Sequence, residues 1–226
     1  DIDRLGAIAS VLDKLPEPYH ATLDGNEQYQ SAEQLHELLT RMRAQPALKR
    51  LVASILFIEQ PINRLNALDV DLKKLDLGMP VIIDESDGLL DTFVMARKQG
   101  YTGISSKTCK GVYRSLLNAA RCATWNEEAS TLGRYFMSAE DLTVQAGLSV
   151  QQDLALVNLI GVTHVERNGH HYVNGLQSRP QAEQAAFCKA HPDMYEHSHG
   201  AARLRIRDGQ LHIASLDAPG YASTVM

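Results

Sequence analysis

The stretch SILFIEQPINRLNALDVDLKKLDLGMPVIIDES, residues 54–86, decides the fold. It contains two short apolar runs that both end in acid: Glu59 closes ILFI, and Asp84 with Glu85 closes VII. Short β-branched or aromatic runs are typical of buried parallel strands, so the acids fall at the carboxyl ends of two strands. They are 84 − 59 = 25 residues apart, which leaves room for one crossover connection. Carboxylates at adjacent strand ends offer the oxygen ligands that Mg²⁺ prefers.

Strand and helix signals alternate along the rest of the chain. Six short strands are predicted, at residues 21–24, 55–59, 81–84, 103–107, 134–140 and 163–166. Alternation of this kind indicates a parallel sheet with helices outside it. Periodicity alone leaves open whether that sheet is a closed barrel or an open, doubly wound sheet.

Local signals set the bounds of several connecting elements. Ser31 is the expected N-cap of a helix over residues 31–44, and Ser149 is the expected N-cap of a helix over residues 149–161. Asp208 and Gly209 form the expected turn of a hairpin in the C-terminal tail.

Composition excludes some classes of protein. The 226 residues carry a net charge of −5, which argues against a nucleic-acid partner. No apolar run approaches the roughly 20 residues of a membrane span, so we expect no membrane partner. The three cysteines are odd in number and lack metal-ligand spacing, which favours a reduced, cytoplasmic setting.

EQP at residues 59–61, followed by PVIIDES at 80–86, resembles the metal-binding core of the enolase superfamily, in the mandelate racemase and muconate-lactonising branch. Those enzymes bind Mg²⁺ with acids on three successive barrel strands and remove a proton next to a substrate carboxylate. The resemblance implies an α/β fold, a TIM-type (β/α) barrel like the enolase C-terminal domain. About six of its eight strand-helix units, the third to the eighth, would lie in this chain. The first two strands and the N-terminal capping domain would then come from the same polypeptide or another chain.

The resemblance assigns the metal ligands. LDGNEQY is similar to the first metal site of the family, so Asp24 takes that role, with Asn26 as a neighbour that orders it. Glu59 and Asp84 are the second and third ligands. Successive strand residues face opposite sides, so either Asp84 or Glu85 can point into the mouth; Asp84 is the expected ligand, and Glu85 is expected to hydrogen-bond to a ligand or a catalytic lysine. The alternative for Glu59 is an ordinary strand-end acid that pairs with a surface base such as Arg64.

SSKTCKG resembles the family strand that supplies a lysine base, which makes Lys107 the expected proton acceptor. A neighbouring cation and burial would both lower its pKa. Lys110 is either a solvated lysine or a group that helps to hold the substrate carboxylate. On the next two strand ends, Glu140 is expected to line the site and Glu166 to act as a further catalytic group.

The sequence departs from the family pattern in two places. It has Lys110-Gly111 where the family often has two glycines, and nothing upstream of Asp24 resembles the K-x-K motif that supplies a second lysine.

Two function classes follow from these patterns. The first is a Mg²⁺-dependent racemase, dehydratase or cycloisomerase, expected to be a homo-oligomer, that acts on a small carboxylate such as an acid sugar or an amino-acid derivative. The second is a barrel fragment without turnover, a binding or structural remnant of the same fold. An unrelated α/β protein with acids at its strand ends by chance is the third alternative.

Overall fold

The structure is a computed structural model that describes residues 1–139, 146–165 and 172–222. The chain divides into two compact units. Unit 1 comprises Asp1–Ser105 and Ala120–Met137, and unit 2 comprises Ser106–Ala119 and Ser138–Met226.

The described residues form seven α-helices and nine strands. The helices are α1 (Ile2–Leu12), α2 (Ala32–Ala44), α3 (Lys49–Ser54), α4 (Thr92–Gln99), α5 (Val112–Glu128), α6 (Leu148–Leu159) and α7 (Gln181–Ala190). The strands are β1 (Ala21–Asp24), β2 (Ile55–Glu59), β3 (Val81–Ile83), β4 (Gly103–Ser106), β5 (Phe136–Ala139), β6 (Tyr195–Ser198), β7 (Ala201–Leu204), β8 (Ile206–Arg207) and β9 (Gln210–Leu211).

Strands β1 to β5 form one sheet in which spatial order follows chain order. The pairs β1–β2, β2–β3 and β3–β4 are parallel, and helices lie between most successive strands. Five of the six predicted strands are therefore confirmed. The arrangement is an α/β fold that corresponds to part of a TIM-type barrel.

The prediction of a sixth strand at 163–166 is wrong for the three of its residues that the structure describes. Residues 163–165 have no regular secondary structure, and Glu166 lies outside the described residues. The His164 ring contacts the Ser138 hydroxyl on β5 at 3.1 Å. A side-chain contact, rather than a backbone ladder, therefore attaches this segment to the last strand of the sheet.

The connection between β2 and β3 has no α-helix and only a short 3₁₀ turn at Leu72–Lys74. Polar side chains in this connection bond the backbone two residues ahead: Asn63 accepts from Leu65 N–H, Asp71 from Lys73 N–H, and Asp76 from Gly78 N–H. Such local bonds compete with helix formation. The connection therefore folds as a series of turns.

The core of unit 1 lies between the sheet and its helices. Ile58 on β2, Ile83 on β3 and Ile104 on β4 belong to this core. Phe93 on α4 and Trp125 on α5 pack edge to face within it, with ring centroids 5.0 Å apart. Since successive strand side chains point to opposite faces, the residues that alternate with these isoleucines face away from the helices.

Gly103 on β4 lies where no side chain fits. A Cβ atom there would be 2.6 Å from Ile82 Cγ2 and 2.9 Å from the Phe136 carbonyl oxygen. We expect Gly103→Ala to lower the free energy of unfolding by about 1–3 kcal/mol through overpacking. Urea denaturation checks this. Gly6→Ala is the matched control, because that site in α1 is open and alanine there should add up to about 1 kcal/mol. Equal stability of the two variants would contradict the packing argument.

Unit 2 contains α6, α7 and two antiparallel hairpins, β6–β7 and β8–β9. The predicted hairpin with its Asp208-Gly209 turn is confirmed. The β6–β7 hairpin, with its turn at His199 and Gly200, was not predicted. Helix α6 begins at Leu148 with Gly147 as its N-cap, so the predicted cap at Ser149 is wrong by two residues.

Burial of two histidines should make stability depend on pH. His191 is fully buried against the Ser215 hydroxyl; burial lowers the pKa of its imidazole, and Asp193 partly opposes this. Burial also lowers the pKa of His164. Below about pH 6.5 the unfolded chain therefore binds protons that the folded chain excludes.

We expect the free energy of unfolding to fall as the pH drops below about 6.5, by at most about 1.4 kcal/mol per pH unit for each histidine. Urea melts at pH 7.5 and 5.5 measure the loss. In His191→Gln the loss should be smaller; an unchanged pH dependence in that variant would contradict the assignment.

The three cysteines, Cys109, Cys122 and Cys188, are free thiols. Burial raises the pKa of Cys122 to about 12, so this thiol is packed as an apolar side chain. Within the part of the chain that the structure describes, no helix combines the length and the hydropathy needed to cross a bilayer.

Candidate functional site

Three acidic residues lie at the same end of three neighbouring strands. Asp24 ends β1 and is the direct register partner of Glu59, which ends β2. Glu59 in turn pairs with Ile82 on β3, and Asp84 follows two residues later. The carboxyl ends of β1, β2 and β3 therefore bring the three predicted metal ligands to one rim of the sheet, which we call the acidic rim.

The residues before the three acids share a face. Leu23, Ile58 and Ile83 pack in the core on the helix side. Because strand side chains alternate, we expect Asp24, Glu59 and Asp84 to project from the opposite face of the sheet.

Apolar residues fill that same face two positions before the acids on β2 and β3. These are Phe57 and Ile82, and the Phe57 ring lies 5.5 Å from the Phe136 ring. The acidic rim therefore stands above a packed apolar layer, as in the mouth of a barrel whose interior is filled.

The acids differ in exposure. Glu59 and Asp84 are each 3% exposed, whereas Asp24 is exposed. Burial of a charged carboxylate is costly unless other groups or ions compensate it. Two almost fully buried carboxylates therefore lie at adjacent strand ends of the acidic rim.

The alternative interpretation of Glu59 requires an ion pair with a surface base such as Arg64, but Arg64 pairs with a different acid. Its guanidinium forms a bidentate ion pair with Glu27, at 2.8 and 2.6 Å. That pair raises the pKa of Arg64, and the charges of Glu85 and Asp84 contribute in the same direction. Arg64 is thus close enough to the acidic rim to sense its charge, while its direct ion pair is with Glu27.

The loop after β1 is fixed against the end of β2. Asp24 accepts hydrogen bonds from the Asn26 backbone N–H at 2.8 Å and from its side-chain amide at 3.3 Å. Gly25 N–H donates to the Glu59 carbonyl at 2.8 Å, and a Cβ atom on Gly25 would lie 2.5 Å from Pro61 Cα. Asn26 therefore orients the Asp24 carboxylate, and only glycine allows this close approach.

Gln60 is a residue of the rim that was not predicted. It is fully buried and has a φ of +30°, a backbone conformation that costs a non-glycine residue free energy and that clusters at functional sites. Its side-chain amide reaches the loop after β3. The one signal in the sequence was its position directly after Glu59.

The donor set and the backbone positions fit a divalent cation such as Mg²⁺. Carboxylate oxygens are its preferred protein ligands, and neighbouring strands lie about 4.8 Å apart. In the described part of the chain, however, no three side chains of His, Cys, Asp or Glu are gathered closely enough to hold a metal ion. The three acidic side chains do not form a metal site in these positions, so the ligand set stays a prediction.

The other predicted site residues have separate positions. Glu85 follows Asp84 and is half-buried; Lys107 directly follows β4 in an extended conformation and is half-buried. Lys110 ends the short 3₁₀ helix after Lys107. Glu140 and Glu166 lie outside the described residues, so their predicted roles remain predictions.

No family model and no curated protein matches the sequence. Among solved structures, the fold is similar to the crystal structure of a mandelate racemase/muconate lactonizing protein from Herpetosiphon aurantiacus, with a TM-score of 0.56 and 19% sequence identity. The match covers 89% of this chain and 49% of that protein, so the chain spans about half the length of the solved structure. At this identity the similarity shows the fold alone, an α/β fold that corresponds to part of a TIM-type barrel.

Proposed function

We propose that this chain belongs to a Mg²⁺-dependent enzyme that removes the proton adjacent to the carboxylate of a small acid. One observation carries the proposal: Asp24, Glu59 and Asp84 lie at the carboxyl ends of three successive parallel strands. This is the end of a (β/α) barrel at which active sites are built. The similarity in fold to a mandelate racemase/muconate lactonizing protein also supports this proposal.

Asp24, Glu59 and Asp84 would hold the cation. Mg²⁺, when bound, would supply positive charge that stabilises negative charge on the substrate carboxylate. The chain itself orients these acids: Asn26 binds the Asp24 carboxylate. Glu85 would hydrogen-bond to a metal ligand or to the catalytic lysine and hold it in place, as residues next to metal ligands commonly do.

Lys107 would accept or return the α-proton at its Nζ atom. On β4, Gly103 is the register partner of Ile82, and a Cβ atom built on Gly103 would lie 2.6 Å from Ile82 Cγ2. Ile104 packs on the helix side, and Ser106 contacts Ser115 on α5 at 2.8 Å. We expect Lys107, the first residue after β4, to continue this alternation and to share the face of Gly103. A lysine must be neutral before it can accept a proton, and both burial and a nearby positive charge favour the neutral amine.

The remaining groups have auxiliary roles in the proposal. Lys110 would help to hold the substrate carboxylate, Glu140 would line the site, and Glu166 would serve as a second group for proton transfer. Racemisation, dehydration and cycloisomerisation share the first proton transfer, so the proposal covers all three. Acid sugars and amino-acid derivatives are the proposed substrates.

A catalytically inactive fragment is the second candidate. It is favoured by the match to about half of the solved structure. In the described part of the chain, β1 pairs on one side alone, and such an edge is normally paired or covered. For the enzyme, we propose that another segment of the same polypeptide or another chain, in a homo-oligomer, covers this edge and closes the mouth.

Exchange of the α-proton tests the proposed function. The protein is incubated in deuterated buffer with a panel of small 2-hydroxy and 2-amino carboxylates, and deuterium incorporation is followed by NMR. Incorporation that needs Mg²⁺ and stops on chelation is the expected result. A protein that exchanges no member of a broad panel at any Mg²⁺ concentration would favour the inactive fragment.

A further inference from the structure

Gln60 connects the three strand ends of the acidic rim. Its backbone N–H donates to the Ile82 carbonyl on β3 at 2.9 Å, and its carbonyl accepts from Glu27 N–H in the loop after β1 at 2.8 Å. The residue itself directly follows Glu59. One residue therefore contacts the segments that present Asp24, Glu59 and Asp84.

The side-chain amide of Gln60 uses its full hydrogen-bonding capacity. Oε1 accepts from the backbone N–H of Asp84 at 2.7 Å and of Ser86 at 3.2 Å. Nε2 donates to the Ile62 carbonyl at 2.8 Å and to the Ser86 hydroxyl at 2.7 Å. Backbone N–H groups only donate and carbonyls only accept, so the orientation of the amide is fixed by its partners.

The position of this amide is maintained at a cost. Gln60 is fully buried and is held at a φ of +30°, which is unfavourable for a residue with a side chain. In this conformation the side chain bonds the loop after β3. Without the amide, the buried N–H of Asp84 would lose its partner.

We infer that Gln60 is the positioning residue that fixes Asp84 relative to Glu59 and thereby sets the spacing of the carboxylates for a divalent cation. The inference rests on the proposed function for the identity of the cation. Residues that orient metal ligands commonly contribute about 10- to 100-fold to metal affinity. Loss of the Gln60 amide should therefore lower Mg²⁺ affinity by a factor in this range.

The test compares Gln60→Met with Gln99→Met. Methionine keeps the length of the side chain and removes the amide. Gln99 is the matched control because its amide also donates to a backbone carbonyl, that of Leu68 at 2.7 Å. Gln99 is the last residue of α4 and precedes the start of β4, whereas the acidic rim is at the carboxyl ends of the strands. Gln60→Glu is the second variant, since it retains an accepting oxygen for Asp84 and Ser86.

Two measurements are made on each protein: Mg²⁺ affinity by calorimetry, and amide hydrogen exchange of Asp84 and Ser86 without metal. We expect Gln60→Met to bind Mg²⁺ at least tenfold more weakly and to lose protection at both amides, while Gln99→Met resembles wild type. Gln60→Glu should retain protection at Asp84. Wild-type affinity and protection in Gln60→Met would overturn the inference.

The two proposals fail in different ways. A wild-type protein that binds no Mg²⁺ overturns the metal-dependent function and the affinity part of the inference. Hydrogen exchange then decides the positioning role alone: faster exchange at Asp84 and Ser86 in Gln60→Met supports it, and unchanged exchange rejects it.

Discussion

Replacement of Lys107 by methionine is expected to reduce α-proton exchange by about 10²- to 10⁴-fold, the usual contribution of a general base. Methionine keeps much of the length of the lysine side chain and removes the amine that would accept the proton. Lys107 follows β4 directly, at the end of the strand that neighbours the strand of Asp84. The loss should appear in kcat, while Mg²⁺ affinity remains close to that of the wild type, because Lys107 is not a ligand.

Two further lysine variants make this experiment specific. Lys98→Met changes an exposed lysine in the last turn of α4 and should leave exchange unchanged. Lys110→Met should raise KM more than it lowers kcat, because its proposed role is to hold the substrate carboxylate. Exchange that persists undiminished in Lys107→Met would move the role of base to Lys110, to Glu166 or to a residue outside this chain.

Loss of one ligand should abolish the effect of Mg²⁺ on stability. A ligand at 100 times its Kd stabilises the folded state by about 2.7 kcal/mol, so Mg²⁺ should raise the Tm of the wild-type protein. Glu59→Gln preserves the shape of the buried side chain and removes its charge. We expect no Mg²⁺-induced shift of Tm in this variant by differential scanning calorimetry, against a clear shift in the wild type.

Glu37→Gln is the control for this effect. Glu37 is an exposed acid on α2 that pairs with Arg41 at 3.9 Å, so its variant should show the full Mg²⁺-induced shift. If Glu59→Gln shows the same shift as Glu37→Gln, Mg²⁺ binds elsewhere and the acidic rim is not its site.

Signals that act within a few residues were predicted well. Ser31 accepts from Gln34 N–H as the N-cap of α2. The Asp208-Gly209 turn forms because both residues adopt positive φ. Each of these conformations depends on side-chain chemistry at the residue itself or its near neighbours, so the sequence alone is sufficient.

The features that were missed depend on contacts between distant residues or on competing local bonds. The amide of Gln60 binds a backbone N–H 24 residues away, and no local pattern encodes that contact. The β6–β7 turn uses His199 and Gly200, both at positive φ, where the familiar hairpin signal is Asn-Gly or Asp-Gly. In the β2–β3 connection, three polar side chains bond the backbone and replace the helix that alternation suggested.

The acidic rim was predicted as a set of strand ends, and the register of β1, β2 and β3 places its acids on neighbouring strands. The sequence could not show that Glu59 and Asp84 are almost fully buried while Asp24 is exposed. Burial depends on packing against residues that are distant in the sequence, which no local pattern encodes.

A crystal structure of the protein grown with Mg²⁺ is the most direct test of the central claim. The account predicts one cation with carboxylate oxygens of Asp24, Glu59 and Asp84 at about 2.0–2.1 Å, and Gln60 still bonded to the Asp84 N–H. Carboxylates that point to different faces of the sheet, or a cation bound elsewhere with the acidic rim empty at saturating Mg²⁺, would contradict it.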